Sequence, residues 1–193
     1  MANDNDLSST YGGLRPGASL TGMASTSALE SPSSVFSGER DPEDIHDDAI
    51  DTLNNLLETC RDGEYGFREC AEHTKAHEIK TILNQRATDC QSAAAELQGL
   101  IVQMGGEPDE GGSATQALHR GWVAVKGTLS GYSDQDMLDE CERAEDVALA
   151  QYRKALKQNL PQHAKLVVER QAHGTQKNHD QIRDMRDAHR ANS

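Results

Sequence analysis

The sequence predicts an all-α protein, a bundle of four long helices behind an N-terminal tail. Three observations carry that reading. From Ile45 to Met185, apolar residues recur at spacings of three, four and seven, the period of helices that bury one face. Helix formers dominate the second half of the chain and β-branched runs are scarce there, which disfavours strands. Residues 1–41 are a different material, rich in Ser, Thr, Gly and Ala and without hydrophobic periodicity. The expected division is a disordered tail over 1–41 and a bundle over 42–190.

The tail cannot bury enough apolar surface to offset its ordering entropy. Its isolated apolar residues, Tyr11, Leu14, Leu20, Met23 and Phe36, suit either a short docking peptide for a protein partner or shell, or a passive solubilising segment. Asp41-Pro42-Glu43-Asp44 starts the ordered part: an N-cap, a proline at the first helical position and acids at the positive end of the dipole. The first helix then runs to about Thr74 through Ile45, Ala49, Leu53, Leu57, Cys60, Phe67 and Ala71. Gly63 and Gly66 weaken it unless close packing needs them.

A turn near Lys75-Ala76 opens the second helix, with Ile79, Leu83, Cys90, Ala93, Leu97, Leu100 and Met104 inward and Gly105-Gly106 as its stop. A loop from Glu107 to Ser113 precedes a short helix, Thr115 to Leu129, presenting Leu118, Trp122, Val125 and Leu129. Ser133 or Asp134 caps the third long helix, whose stripe is Met137, Leu138, Cys141, Ala144, Ala148, Leu149, Tyr152 and Leu156. Pro161 starts the fourth, with Leu166, Val167, Val168, Gln171, Thr175, Ile182 and Met185 inward. The polar residues from Asp187 onward are expected to fray.

Tight turns make the first two helices antiparallel neighbours, and likewise the last two. The connection between the pairs, nearly 30 residues long by the sequence, can travel the whole bundle, which is the one-crossover topology of ferritin-like folds. Under that topology ionisable residues fall at similar depth: Glu64 in the first helix, Arg86 and Asp89 in the second, Glu142 and Glu145 in the third, His179 in the fourth. Charged residues are rarely buried unless paired or bound to metal. Glu64, Asp89, Glu142, Glu145 and His179 are therefore the candidate metal ligands, for iron or manganese. The pattern is incomplete, because Gln176-Lys177-Asn178-His179 stands where a Glu-x-x-His would be and Asp89 has no neighbouring histidine. Arg86 would repel a cation but neutralise a carboxylate well, so a structural Arg86–Glu64–Glu145 network, with His179 as a polar member, competes with the metal site.

The formal net charge of −13 and pI of about 4.9 disfavour nucleic acid and anionic membrane as partners. No apolar run reaches the ~20 residues of a membrane-spanning helix, and the opening MANDND has no basic n-region or apolar h-region, so no secretory signal is expected. A cytoplasmic protein is expected, with Cys60, Cys70, Cys90 and Cys141 as reduced, buried thiols. No nucleophile–base signature, phosphate loop or dinucleotide fingerprint is present, so no catalytic residue is assigned. Ferroxidase- or peroxidase-like metal chemistry is the one enzymatic reading, and a non-enzymatic interaction module is the other. The sequence is compatible with a homodimer or a higher oligomer.

The runs LNNLLETCRDGEYGFREC at 53–70, ALHRGWVAVKGTL at 117–129, ECERAEDVALAQY at 140–152 and HDQIRDMRD at 179–187 resemble small bacterial four-helix-bundle proteins of unknown function in the ferritin-like superfamily. The resemblance spans about 45 to 188. It implies a ferritin-like bundle and a link to stress or metal handling. The positions it carries over are Glu58, Asp62, Glu64, Phe67, His119, Trp122, Glu142, Glu145 and His179. The tail lies outside the family pattern. On the crossover helix, Trp122 reads as the anchor to the bundle and His119 as a partner for Glu58 or Asp62, by a structural hydrogen bond or as a ligand.

Overall fold

The computed structural model describes residues 41–110 and 133–192. The expectations for the tail and for the Thr115–Leu129 crossover helix, His119 and Trp122 included, lie outside these residues. Four helices are present: α1 (Pro42–His73), α2 (His77–Gln103), α3 (Asp134–Ala155) and α4 (Gln162–Ala191).

Local chemistry sets their ends. Asp41 caps α1, its carboxylate accepting the Glu43 N–H at 3.2 Å. Ser133 and Asp136 form a reciprocal capping box at the start of α3, satisfying two donors that the first turn leaves open. Gly105, in the left-handed region at φ 78°, terminates α2, where a side chain would be strained. Helix α2 has no cap of its own at Ala76. Asp134 supplies one from across the bundle, accepting the N–H groups of Lys75 and Ala76 at 2.6 and 2.9 Å.

That cap also fixes the topology. It places the start of α3 beside the α1–α2 turn, whereas the other end of α2 lies beside the start of α1, where His46 Nε2 meets the Met104 carbonyl oxygen at 2.8 Å. The end of α2 and the start of α3 therefore lie at opposite ends of the bundle. Helices α2 and α3 run one way, α1 and α4 the other. This is the ferritin-like arrangement. The α1–α2 and α3–α4 pairs and the α1–α3 pair pack closely, while the α2–α4 pair is the loosest of the bundle's four packed faces.

The interior holds two apolar clusters. One, at the Met104 end, joins Leu53, Leu57, Leu97, Ile101 and Val168. The other, at the Ile79 end, joins Phe67, Leu83, Leu138 and Ile182. Leu56 and Ile101 are buried in addition to the expected stripes, because the apolar face is wider than a single row. Two expectations need correction. Leu166 is 56% exposed; it flanks Val168 on the solvent side of α4. The segment after Asp187 remains helical to Ala191, held to α3 by Arg190–Asp139 at 3.0 Å and His189–Gln135 at 3.2 Å. Polar residues can extend a helix when a neighbouring helix offers them partners.

Candidate functional site: a mid-bundle cleft

Between the two apolar clusters the inward positions change character. Cys60, Gly63, Cys90, Glu145 and Gln171 line a cleft of about 1010 Å³ to which all four helices contribute. Its position follows from the packing: the loose α2–α4 seam leaves space that small residues do not fill. At Gly63 close approach is required, since a Cβ there would stand 3.0 Å from Cys90 Sγ. This is the packing reason the sequence left open for that glycine.

One wall is a buried hydrogen-bonded chain. The Tyr152 hydroxyl donates to Gln171 Oε1 at 3.0 Å, leaving its oxygen to accept from the Cys60 thiol at 3.3 Å. Gln171 Nε2 then donates to Glu96 Oε2 at 2.8 Å and to the Ala93 carbonyl at 3.3 Å. The chain crosses from α1 through α3 and α4 to α2. It satisfies polar groups that would each be costly to bury alone. Tyr152 and Gln171 were legible as inward-facing residues, but their connection to Cys60 and Glu96 was not.

The five predicted metal ligands do not converge. Glu64 binds Arg68 of its own helix at 2.9 Å. Asp89 receives Arg86 Nη1 at 3.0 Å and Gln85 at 2.9 Å. Glu142 is ion-paired with Arg186 of α4. His179 has Asp146 Oδ1 3.0 Å from Nε2 and Asp180 Oδ1 3.5 Å from Nδ1. Glu145 alone is both deeply buried, at 4% exposure, and free of any hydrogen bond or ion pair among the described residues. Among the described residues no group of three or more His, Cys, Asp or Glu is close enough to hold an ion. As placed, the set does not fit a resident two-metal centre, which needs several oxygen and imidazole ligands converging on one point.

The expected Arg86–Glu64–Glu145 network is also absent. Arg86 turns to Asp89 and to Gln181 Oε1, at 3.1 Å, and its buried Nε has no hydrogen-bond partner. Partners three or four residues away on the same helix lie within reach without cost in helix register, so Arg68 takes Glu64 and Asp89 takes Arg86.

Burial controls the ionisation of the site. Glu145 is pushed up to about 8, chiefly by burial, against the opposing charge of Arg86 and with a small contribution from Asp89. Near neutral pH it is therefore largely protonated, and a carboxylic acid in that state can donate a hydrogen bond. Asp62, half-buried on the cleft wall, is raised to about 6 by burial and by the neighbouring Glu58 charge. Burial raises Cys60 to about 11 and pushes Cys90 and Cys141 well up, which keeps these thiols protonated and poorly nucleophilic. The structure thus brings Glu145, Asp89, Glu58 and Asp62 to the wall of one cleft and leaves Glu64, Glu142 and His179 in ion pairs outside it.

No helix among the described residues is long and apolar enough to cross a membrane. No curated protein matches the chain. Two solved structures are similar in fold. One is a two-domain protein from Anabaena variabilis containing DJ-1/ThiJ/PfpI-like and ferritin-like domains, at TM-score 0.61 and 14% identity over 77% of this chain. This chain spans 38% of that protein's length. The other is a Dps1 mutant from Mycobacterium smegmatis, at TM-score 0.60 and 15% identity over 74% of this chain and 97% of that one. Identities this low speak for the fold alone, and they agree with the helix order derived above. The family described as a domain of unknown function, DUF2383, matches residues 48–158, and the chain belongs to that family.

Proposed function

We propose that this protein is a non-enzymatic ferritin-like bundle that takes up a small ligand in its mid-bundle cleft. The observation that carries this reading is the exchange of core for space at one depth. Where a bundle with a resident metal centre gathers its ligands, this one has a cleft of about 1010 Å³, while three of the five candidate ligands are committed to ion pairs outside it. A cleft of that size, largely preformed and lined by a few polar groups among apolar ones, has the properties of a small-molecule site.

A second reading, handling of iron or manganese as cargo, is favoured by one observation: Glu58, Asp62, Asp89 and Glu145 all line the cleft, and Asp62 already feels the charge of Glu58. A cation entering such a wall relieves like-charge repulsion. The ferritin-like neighbours support this reading at the level of fold.

Elemental analysis of protein from iron- and manganese-supplemented cells separates the two. The ligand-binding reading expects less than ~0.1 metal per chain and no uptake of added ferrous iron. One to two metals per chain, lost in Glu145→Ala, would establish the metal reading in its place.

A further inference from the structure

The polar groups of the cleft are unevenly compensated, and the imbalance selects a ligand charge. Two arginines reach its wall, and both are already neutralised: Arg143 by Glu140 of its own helix, at 2.9 Å, and Arg170 by Glu96 across the α2–α4 seam. Asp89 is neutralised by Arg86. The carboxylates of Glu58, Asp62 and Glu145 have no basic partner within ion-pair distance among the described residues. Glu145 is the decisive one, because it is 4% exposed and faces the cleft without a hydrogen bond among the described residues. The remaining lining includes Phe67, Ala93, Val147 and Ala148, which offers an apolar surface.

We propose that the mid-bundle cleft binds an amphipathic organic cation, its ammonium group held by Glu145 and its apolar body lying against Phe67, Ala93 and Ala148. Glu58 and Asp62 add a favourable field for a cation along the α1 wall. The inference rests on the ligand-binding reading above and names the class of its ligand. A bare divalent ion needs several oxygen ligands at once, whereas an ammonium needs one carboxylate in a dry site and gains from the apolar wall. An anionic ligand would meet the carboxylates of Glu58 and Asp62 and, among the described residues, no unpaired arginine on the wall.

Binding has a proton signature. The groups around Glu145 are Arg86 and Asp89, already paired with each other, the protonated thiols Cys60, Cys90 and Cys141, and the Tyr152 hydroxyl, which burial also keeps protonated. None of them supplies a free positive charge. An ammonium beside Glu145 favours its ionised form, so binding near pH 7 expels the proton that burial retains. Up to one proton leaves per ligand bound.

The test is isothermal titration calorimetry on the full chain at pH 7 with octylamine, octanol and octanoate, each in two buffers of different ionisation enthalpy. The expected result is one octylamine per chain, bound at least about tenfold more tightly than octanol or octanoate, with an enthalpy that changes with buffer. Octylamine affinity in E145Q falls to the octanol level and its buffer dependence disappears, while octanol binding changes by less than about threefold. The buffer dependence of the parent protein needs no variant, so a poorly folding E145Q does not remove the test. Equal binding of octylamine and octanol, or tighter binding of octanoate, overturns the cation assignment and leaves the ligand-binding reading standing. Binding of none of the three overturns both.

Discussion

At the Met104 end of the bundle, Leu53, Leu57, Leu97, Ile101 and Val168 meet with no side-chain surface left to solvent. Further along the same helices the inward positions are Cys60, Gly63, Cys90, Glu145 and Gln171, and together they line a cleft. The backbone is regular helix in both regions, so the difference lies in the side chains and in how closely the helices approach. The first region gains from close packing. The second forgoes that gain and buries a carboxyl without an ion pair. A protein sits only a few kcal/mol above unfolding, so a layer that costs stability is more readily understood as a binding layer than as scaffold.

The comparison can be broken most directly at Leu97. Leu97→Ala removes a fully buried side chain from the packed end and is expected to cost about 3 kcal/mol, read from urea unfolding. A cost below about 1 kcal/mol would show that this end is not close-packed and would erase the contrast.

Glu145 sharpens it with the opposite sign. A carboxyl whose pKa rises on folding, here from 4.5 to about 8, holds its proton longer in the folded chain than in the unfolded one. It costs nothing below pH 4.5, and the cost grows as pH rises toward 8. Glu145→Leu is therefore expected to stabilise the protein at pH 8 by about 2 kcal/mol and to flatten the fall in stability between pH 5 and 8, measured by denaturant unfolding across that range. Unchanged pH dependence would mean that Glu145 is solvated or paired in solution.

The smallest effect is expected at the polar wall. Tyr152→Phe removes the hydroxyl that joins Cys60 to Gln171 and should cost about 1 kcal/mol, seen as a shift in urea midpoint without a change in slope. A neutral result would mean that Gln171 finds a replacement donor in the cleft.

How far the sequence could be read differs between these regions. The packed ends were legible residue by residue, because Leu53, Leu57, Leu83, Leu97 and Leu138 sit on a 3.6-residue period that only burial explains. Asp41 and Ser133 were legible as caps because capping is settled within three residues. The middle layer was legible as polar, and Glu145 was correctly placed in its stripe. Its neighbours were not. Glu64 and His179 share the same depth, yet each finds a partner at the helix surface, Arg68 and Asp146. The sequence reading also missed Asp134 as the cap of α2, since its partners, Lys75 and Ala76, lie 59 and 58 residues away. The one usable signal was the acidic first turn of α3, which looks the same whether it serves its own helix or another.

By itself the sequence determined four helices, their order, the capped starts of α1 and α3 and most of the buried leucines, because helix period and capping are local and the crossover length admits few topologies. The tertiary structure alone decided which ionisable groups meet. Ion pairs and clefts depend on a few ångströms of approach between helices far apart in sequence. Residues at equal depth converge only if they also share an azimuth, and here the loose α2–α4 seam turned that layer into a cleft with one buried carboxyl, Glu145, that is unpaired among the described residues.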